Sequence, residues 1–424
     1  MKIIELHKIF LDYPNICTDT RKIKKNDIFF ALKGDNFNGN KYADEALNKG
    51  ASFAIIDEKK FYGDQKILVK DVLSTLQELA KFHRKFSKAK VIGLTGSNGK
   101  TTTKELINAV LSQKYKTIAT SGNLNNHIGV PLTLLSIKKD TEIAIVEMGA
   151  NHQKEIDFLS KLTEPDFGYI TNFGKAHLEG FGGVDGVIKG KSELYDYLIS
   201  EDKGVFMNAD DSIQQKKLKG YIKKYGFSTS NPKFYQIKLV SANPFVVAEA
   251  EQTKIYSNLI GDYNFTNCCA AILIGKYFNV TLQKIKSGIE GYTPSNNRSQ
   301  IIKKNGNHII LDAYNANPTS MSAAILNFAK MKSENKVLFL GDMFELGDSA
   351  KDEHQEIALL ARKLDFEKVY LIGKNFNEIE SNYLIFESFD DLKTHLLKNK
   401  TITNSSIFIK GSRGMALERI LELL

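Results

Sequence analysis

The residue types best suited to chemistry are concentrated between Lys90 and Ile107, in the segment KVIGLTGSNGKTTTKELI. Its pattern predicts an apolar strand, a glycine-rich loop and a helix that begins at Lys100. Such a loop directs backbone N–H groups towards a bound anion at the helix N-terminus, where the helix dipole also favours negative charge. Lys100 adds a positive charge for outer phosphates, and the Thr101 hydroxyl is a suitable ligand for Mg²⁺.

The glycine spacing of this loop departs from the usual phosphate-binding motif. That motif has a glycine five residues before its second glycine, and this chain has Leu94 there. A plain strand-to-helix turn is the alternative, but it needs neither the lysine nor the three hydroxyl residues that follow it. We therefore expect a variant nucleotide-phosphate loop. The expected binding residues are Thr95, Gly96, Ser97, Asn98, Gly99, Lys100, Thr101 and Thr102.

Two further side chains are candidate metal ligands. Glu147 ends the apolar run EIAIVE, where a carboxylate beside the phosphate loop could hold Mg²⁺ directly or through water. His177 follows another apolar run in a glycine-rich loop, and its spacing fits a metal ligand and an ordinary polar residue equally well. Lys189 and Lys191 come next, and spacing alone predicts that both are solvent-exposed. A lysine ammonium offers only donors, so it could bind a metal only after carbamylation by CO₂.

Several polar segments could bind a nucleotide or a sugar. The amide-rich loop Gly122–His127 suits sugar or peptide amides, or caps a helix. Asn264 and Asn267 are three residues apart at a helix start, where they could read a base edge or cap the helix. Arg298 follows as a cation at an expected domain boundary, and a solvated surface position is its simpler interpretation. In DAYNANP, Asp312 suits ribose hydroxyls and Tyr314 suits stacking, although a capped turn explains them equally well.

Length and composition limit the protein class. The chain has 424 residues, which is too long for one ordinary core, and its 42% hydrophobic and 25% charged residues are typical of globular proteins. The net charge of +9 comes from scattered lysines rather than a basic stripe, which argues against nucleic acid as a partner. No apolar run approaches the roughly 18 residues of a membrane span. Three cysteines without a C-x-x-C pair, and no signal-like segment, favour a reduced, cytoplasmic protein.

The order of predicted elements indicates an α/β protein of three domains. We expect a small N-terminal α/β domain at 1–82, a central phosphate-loop domain with a parallel sheet at 83–294, and a C-terminal Rossmann-like domain at 295–424. In the last two domains, the alternation of strands and helices along the chain predicts a mostly parallel sheet covered by helices. Asn305-Gly306 between two apolar runs predicts a β-hairpin at the start of the third.

Taken together, seven segments resemble those of the Mur ligase superfamily. They are TGSNGKTTT, GNLNNHIGVPLTLL, EMGANHQKEI, TNFGKAHLEGFG, DAYNANPTSM, GDMFELG and KGSRGM. The similarity extends from Asp19 to Met415. DAYNANPTSM and GDMFELG are the specific pieces, and they resemble the branch that adds D-alanyl-D-alanine. The phosphate loop alone would fit any Mur ligase or a folylpolyglutamate synthetase.

This resemblance implies an activity. The expected enzyme is an ATP-dependent ligase of peptidoglycan precursor synthesis, which joins D-Ala-D-Ala to a UDP-N-acetylmuramoyl tripeptide through an acyl phosphate. The implied cofactors are ATP and two Mg²⁺ ions, with a carbamylated lysine. We expect a monomer. The third residue of the tripeptide, lysine or diaminopimelate, stays open.

The resemblance also implies roles for particular residues. The catalytic set is Lys100, His177, Lys191 and Arg298, with Lys189 as the competitor of Lys191. The metal ligands are Thr101, Glu147, His177 and carbamylated Lys191. The adenosine and its phosphates would contact Asn264, Asn267, Arg298, Asp312 and Tyr314. The UDP-substrate residues would be Asp19, Thr20, Arg21, Asn125 and Asn126, and the dipeptide region would include Asn315, Asn317, Lys410, Ser412 and Arg413.

Two segments depart from the superfamily pattern and leave UDP binding less defined. Thr20 stands where serine is more usual, and Asn38-Gly39-Asn40 replaces a form close to Asp-Gly-His. The competing interpretations are a sister ligase or folylpolyglutamate synthetase, a nucleic-acid-remodelling ATPase, and a non-catalytic nucleotide-binding regulator.

Overall fold

The computed structural model describes residues 1–295, 297–333, 335–364, 366, 368–399 and 402–424. Three sheets of at least four strands follow one another along the chain, and each is covered by helices. The predicted three-domain α/β architecture is confirmed.

The first sheet is small and parallel, with the strand order β1-β2-β5-β6. A two-residue hairpin, β3–β4, lies beside it, and α3 leads into the next sheet. The elements are α1 (Ile3–Asp12), β1 (Ile16–Cys17), β2 (Ile28–Phe30), β3 (Lys33–Gly34), β4 (Phe37–Asn38), α2 (Ala43–Asn48), β5 (Phe53–Ile56), β6 (Lys66–Leu68) and α3 (Val72–Phe86).

The central region has a seven-stranded parallel sheet with the order β13-β12-β11-β10-β7-β9-β8, followed by a three-stranded antiparallel sheet, β14-β15-β16. Its elements are β7 (Lys90–Thr95), α4 (Lys100–Leu111), β8 (Thr117–Ala119), α5 (Gly129–Leu135), β9 (Ile143–Glu147), α6 (Glu155–Thr163), β10 (Phe167–Ile170), α7 (Leu178–Phe181), α8 (Val184–Ser200), β11 (Gly204–Asn208), α9 (Ser212–Lys217), β12 (Lys224–Ser228), β13 (Tyr235–Gln236), β14 (Lys238–Ser241), β15 (Phe245–Ala250), β16 (Thr253–Ile260), α10 (Phe265–Tyr277) and α11 (Leu282–Gly291).

The third sheet has the order β17-β18-β22-β19-β20-β21, parallel except for β17. Its elements are β17 (Gln300–Lys304), β18 (Asn307–Asp312), α12 (Pro318–Lys330), β19 (Lys336–Gly341), α13 (Ala350–Lys363), β20 (Lys368–Ile372), α14 (Lys374–Asn377), β21 (Leu384–Phe386), α15 (Phe389–Lys398) and β22 (Ser406–Lys410). Short 3₁₀ helices lie at Thr20–Lys22, Gly39–Tyr42, Lys59–Phe61, Asp262–Asn264, Gly347–Ser349, Arg413–Met415 and Leu417–Leu423.

Local sequence explains the elements that position the site. All five residues of β9 are buried, as are all but the first of β7, because helices cover both faces of a parallel sheet. The predicted hairpin forms at Asn305 (φ 50°) and Gly306 (φ 76°), two positive φ values that an Asn-Gly turn accommodates.

The domain boundaries stay predictions. The first, between residues 82 and 83, lies within α3, and the second, between 294 and 295, lies between α11 and β17. Within the described part of the chain, no helix combines the length and the apolar character that crossing a membrane would require.

Candidate active site

The glycine-rich loop joins the end of β7 to the start of α4, as predicted. Gly96 (φ 141°) and Gly99 (φ 78°) have positive φ values, and a Cβ atom at Gly96 would lie 2.0 Å from the Thr171 hydroxyl oxygen. Only glycine permits this close packing of the loop against Thr171, the residue that follows β10. The Lys100 Nζ donates to the carbonyls of Gly96 (2.8 Å) and Ser97 (3.2 Å), so it lies inside the curve of the loop.

The electrostatic surroundings of Lys100 come from three parts of the chain. Burial lowers the pKa of Lys100, the Glu147 carboxylate opposes this shift, and the Arg298 guanidinium adds to it. These three side chains therefore face a common space in which a polyanion would find two cations and one carboxylate.

Glu147 has a carboxylate oxygen without a partner. Its side chain at the end of β9 is buried, and Oε1 accepts hydrogen bonds from the Thr101 hydroxyl (3.2 Å) and the Asn125 amide (2.8 Å). Oε2 is buried and accepts no hydrogen bond. Because an unsatisfied buried carboxylate oxygen is costly, this arrangement suits a cation bound between Glu147 and the phosphate loop.

Lys191 is buried, whereas Lys189 is exposed. The prediction of surface exposure from spacing alone is therefore wrong for Lys191, because α8 turns this side chain inward against α7. Its Nζ donates to the Ala150 carbonyl (2.9 Å) and lies 4.7 Å from the centre of the Phe181 ring. Burial, together with the charge of Lys100, lowers the pKa of Lys191 well below its usual value. Among the described residues, no carboxylate forms an ion pair with it.

His177 lies at the N-terminus of α7 and is hydrogen-bonded through Nδ1 to the Glu345 carboxylate. Over the described ranges, no three His, Cys, Asp or Glu side chains cluster in a way that could hold a metal ion by themselves. A cation beside Glu147 would therefore need further oxygen ligands from water or a phosphorylated substrate, which is the usual situation for Mg²⁺.

Two asparagines at the start of α10 form a short network beside the phosphate loop. Asn267 donates to Asn264 (2.8 Å) and accepts from the Thr103 hydroxyl (3.0 Å), while Asn264 donates to the Ile260 carbonyl (2.8 Å). The shared face expected from their spacing is thus present.

Arg298 and Asp312 lie across the cleft on the third domain. The Arg298 guanidinium stacks 3.6 Å from the centre of the Tyr314 ring, and its buried Nε has no partner. Arg298 is therefore partly buried against Tyr314, rather than fully solvated as spacing alone favours. Asp312 accepts from the Ser299 amide (3.2 Å) and from the Lys410 Nζ (2.5 Å).

These groups surround one cleft of about 560 Å³ between the central and third domains. The predicted residues that line it are Ser97, Asn98, Gly99, Lys100, Thr101, Thr102, Asn125, Asn126, Glu147, His177, Asn264, Asn267, Arg298, Asp312, Tyr314, Asn315, Asn317 and Lys410. Thr95, Gly96 and Lys191 do not line the cleft. Thr95 and Gly96 directly precede its lining residue Ser97, and Lys191 donates to the carbonyl of Ala150, which lines it. Asn126 also caps the N-terminus of α5, because its Oδ1 accepts from the amides of Ile128 (3.1 Å) and Gly129 (2.9 Å).

Other predicted residues lie outside this cleft. Asp19 forms an exposed ion pair with Arg21, whose hydrogen bonds lower the pKa of Asp19 to about 2, and Thr20 begins the adjoining 3₁₀ turn. Ser412 is buried and accepts from the Phe344 amide (2.9 Å), and Arg413 forms an ion pair with Glu418 (2.7 Å).

The segment Asn38-Gly39-Asn40, which departs from the superfamily pattern, forms a hydrogen-bond network within the first domain. Asn40 is buried, accepts from the amide of Asp57 (2.9 Å) and donates to the Asp57 carboxylate (2.9 Å). Asn38 donates to the Glu58 carboxylate (2.7 Å).

Polar contacts hold the third domain against the central domain. The Asn317 amide, at the N-cap of α12, donates to Asn98 of the phosphate loop (2.7 Å). The Lys175 amide donates to the Thr319 hydroxyl (2.9 Å), and the Lys175 side chain forms an ion pair with Glu353 (2.5 Å).

Comparisons with known proteins account for this arrangement. Three sequence models match in succession: "Mur ligase family, catalytic domain" over residues 12–109, "Mur ligase middle domain" over 94–275, and "Mur ligase, glutamate ligase domain" over 297–413. A UDP-N-acetylmuramoyl-tripeptide–D-alanyl-D-alanine ligase of Bacillus subtilis is 37% identical, over 96% of this chain and 92% of the relative. The chain belongs to the Mur ligase family.

Further relatives agree with this family assignment. The ligase of the same name from Escherichia coli is 34% identical, over 99% of this chain and 95% of its own length. The solved MurF ligase of Thermotoga maritima, in complex with ADP, superposes with a TM-score of 0.84 at 27% identity, over 96% of each chain. The Mur ligase resemblance carried by DAYNANPTSM and GDMFELG is thereby confirmed.

Sequence reasoning missed several residues of this Mur ligase site, among them Glu155 and Asn172, which line the cleft, and Glu345, which contacts His177. Glu345 lies in the GDMFELG segment after β19, and its carboxylate contacts His177. Residues that follow the carboxyl ends of parallel strands are frequent ligand-site residues, so the position of Glu345 was a usable signal. Its partner is 168 residues away in sequence, and no local pattern connects the two.

Proposed function

We propose that this Mur ligase joins D-alanyl-D-alanine to the terminal carboxylate of a UDP-N-acetylmuramoyl tripeptide, with cleavage of ATP to ADP and phosphate. The observation that carries the proposal is the near-full-length similarity to ligases of that name. The cleft supports it, because it combines a phosphate loop and cations from two domains with polar groups for a second substrate.

The chemistry proceeds in two steps. A carboxylate oxygen of the tripeptide attacks the γ-phosphorus of ATP, and the bond between the γ-phosphorus and the oxygen shared with the β-phosphate breaks. ADP departs, and the tripeptide now carries an acyl phosphate. The dipeptide amine then attacks the carbonyl carbon, a proton leaves the nitrogen, and the tetrahedral intermediate expels phosphate. The first step brings two anions together, and Lys100 with Arg298 would neutralise their charge.

Two cation positions are part of the proposal. Thr101 and Glu147 would hold one Mg²⁺, and the unpartnered Glu147 Oε2 supports this assignment. His177 and carbamylated Lys191 would hold the second. Bound Mg²⁺ supplies positive charge to phosphoryl oxygens.

Lys191 has the surroundings that carbamylation requires. A neutral amine attacks CO₂, an N–C bond forms, and the proton lost from nitrogen leaves a carbamate anion. The buried position of Lys191, without a carboxylate partner among the described residues, favours the neutral amine over the ammonium. Exposed Lys189 has no such advantage.

The remaining substrate contacts follow from the cleft and its surroundings. Asn264 and Asn267 would read the adenine, and Asp312 the ribose hydroxyls, while Tyr314 supports Arg298 by stacking. The UDP end would contact Asp19, Thr20 and Arg21, with Asn125 and Asn126 nearer the tripeptide. The dipeptide would enter beside Asn315, Asn317, Lys410, Ser412 and Arg413. We further propose domains at 1–82, 83–294 and 295–424, and a monomeric, cytoplasmic enzyme.

Phosphate release tests the function. ATP and Mg²⁺ are incubated with UDP-N-acetylmuramoyl tripeptide, with and without D-Ala-D-Ala, and the products are identified by mass spectrometry. We expect release that requires both substrates and yields the UDP-N-acetylmuramoyl pentapeptide. Hydrolysis that is indifferent to both substrates would reject the ligase assignment. Lysine- and diaminopimelate-containing tripeptides, assayed in parallel, identify the accepted third residue.

A further inference from the structure

The Glu345 carboxylate of the third domain holds the His177 imidazole of the central domain. Glu345 is hydrogen-bonded to Nδ1 of His177, and the His177 side chain is 18% exposed against 49% for Glu345. The neighbouring backbone makes a second link, because the Glu179 amide donates to the Glu345 carbonyl (3.2 Å). The contact is therefore anchored by side chain and main chain together.

The backbone on both sides of this contact has an unusual conformation. His177 (φ 54°) and Glu345 (φ 61°) both occupy the left-handed region, which residues other than glycine rarely adopt. Such conformations persist only where the surrounding structure enforces them, and they are concentrated at functional sites.

The loop that carries Glu345 is fixed from within the third domain. Asp342 begins this loop, and its carboxylate accepts from the amides of Asn375 (3.0 Å) and Phe376 (3.1 Å). The Met343 amide donates to Nε2 of buried His354 (3.0 Å). The position of the Glu345 carboxylate thus depends on where the third domain lies relative to His177.

The contact determines which imidazole nitrogen can bind a cation. A carboxylate at Nδ1 favours the tautomer with the proton on Nδ1, which leaves the Nε2 lone pair free. It also fixes the ring orientation, as carboxylates paired with metal-binding histidines generally do.

From this geometry we propose that Glu345 is a positioning residue, which orients His177 as a cation ligand only when the third domain is docked. The proposal rests on the assignment of His177 under the proposed function. It adds a consequence: the cation site of the central domain is completed by a residue of the third domain, so domain docking and cation binding favour each other.

Mn²⁺ binding to the full-length protein in the presence of a non-hydrolysable ATP analogue tests this proposal. Electron paramagnetic resonance counts free Mn²⁺, and electron spin-echo spectroscopy detects the nitrogen of a bound imidazole. We expect Glu345→Ala to weaken the His177-dependent Mn²⁺ by about 10- to 100-fold and to reduce the nitrogen signal, because outer carboxylates contribute this much at metal sites. Glu345→Gln keeps an acceptor without charge, so partial recovery is expected.

Glu353→Gln is the matched control. It removes the Lys175 ion pair between the same two domains but leaves His177 untouched. We expect Mn²⁺ affinity and the nitrogen signal to stay at the wild-type level. Equal losses in Glu353→Gln and Glu345→Ala would show that docking alone matters, and would overturn the positioning role.

His177→Ala separates failure of this proposal from failure of the site assignment. If His177→Ala loses one Mn²⁺ and Glu345→Ala binds as the wild type does, the positioning role is overturned while His177 remains a ligand. If His177→Ala also binds Mn²⁺ normally, the cation assignment of His177 is wrong and the role of Glu345 falls with it, although the ligation assay can still succeed.

Discussion

The central domain meets its two neighbours through junctions whose polar contacts differ. Towards the first domain, His7 of α1 donates to His83 of α3 (3.0 Å), and His83 donates to the Ile137 carbonyl (2.8 Å). Both rings are buried and pack against Phe10. Towards the third domain, the side-chain contacts include amide pairs and partly exposed ion pairs around the cleft.

The difference indicates which domain can move. Separating α1 and α3 would expose apolar rings and break buried hydrogen bonds, both of which are costly. Buried Arg84 fixes the end of α3, the helix that leads out of the first domain, within the central domain, since it donates to the carbonyls of Thr163 (3.0 Å) and Glu164 (2.8 Å) and to the Asp166 carboxylate (3.0 Å). The polar contacts of the third domain exchange readily with water, and exposed ion pairs contribute about 0–1 kcal/mol each. We infer that the third domain opens and closes on a fixed pair formed by the other two.

Lys100→Ala should cause the largest loss of ligation activity, because it removes a cation from the cleft between the central and third domains. We expect ligation to fall by about 10³-fold or more, as for other groups that stabilise transferring phosphoryl charge. The thermal midpoint should stay close to that of the wild type. Exposed Lys189→Ala is the control and should retain activity. Near-normal ligation by Lys100→Ala would remove this lysine from the mechanism.

Lys191→Ala should lose ligation by about 10²-fold or more, on the scale of removing one electrostatic group from an active site. Because a carbamate is carboxylate-like, added formate or acetate should restore part of the activity. Initial rates over a series of acid concentrations measure this rescue. Rescue of Lys189→Ala instead would transfer the role to Lys189.

The stability of the junction between the first and central domains should depend on pH. Burial lowers the pKa of both His7 and His83 from 6.5, and for His7 the charge of His83 adds to the effect. Unfolded histidines then bind more protons than folded ones, so stability is full above about pH 6.5 and is lost as pH falls towards the lowered values. Thermal unfolding between pH 7.5 and 5.5 measures this loss.

A double variant connects that pH dependence to the two rings. We expect His83→Leu to cost about 1–3 kcal/mol at pH 7.5, because it leaves His7 and the Ile137 carbonyl without a buried partner. The double variant His7→Leu/His83→Leu should show a shallower dependence of stability on pH. Part of the dependence should remain, because burial also lowers the pKa of His354. A slope parallel to that of the wild type would contradict this assignment.

Asn317→Ser should have the smallest effect. Serine still caps α12, so stability should change by less than about 0.5 kcal/mol, but its side chain is too short to replace the amide contact with Asn98. We expect kcat to fall a few-fold, since docking against the phosphate loop is weakened. Unchanged kcat would show that this contact does not assist closure, and a large fall in thermal midpoint would show that the cap was lost.

Local sequence patterns correctly predicted the strand, glycine-rich loop and helix around Lys100, and the hairpin at Asn305-Gly306. Both depend on glycines with positive φ next to apolar runs, a property of a few adjacent residues. The burial of Lys191 could not be predicted from spacing, because it depends on Phe181 and Ala150 in other segments. The same holds for His7 with His83 and for His177 with Glu345, whose contacts form only after whole domains pack.

The transfer of oxygen from substrate to phosphate tests the acyl-phosphate chemistry most directly. The tripeptide is labelled with ¹⁸O at both oxygens of its terminal carboxylate, and phosphate released during ligation is analysed by mass spectrometry. Since that carboxylate oxygen attacks the γ-phosphorus, each phosphate released with product should carry one ¹⁸O atom. Unlabelled phosphate, formed together with pentapeptide, would contradict activation of the carboxylate by ATP.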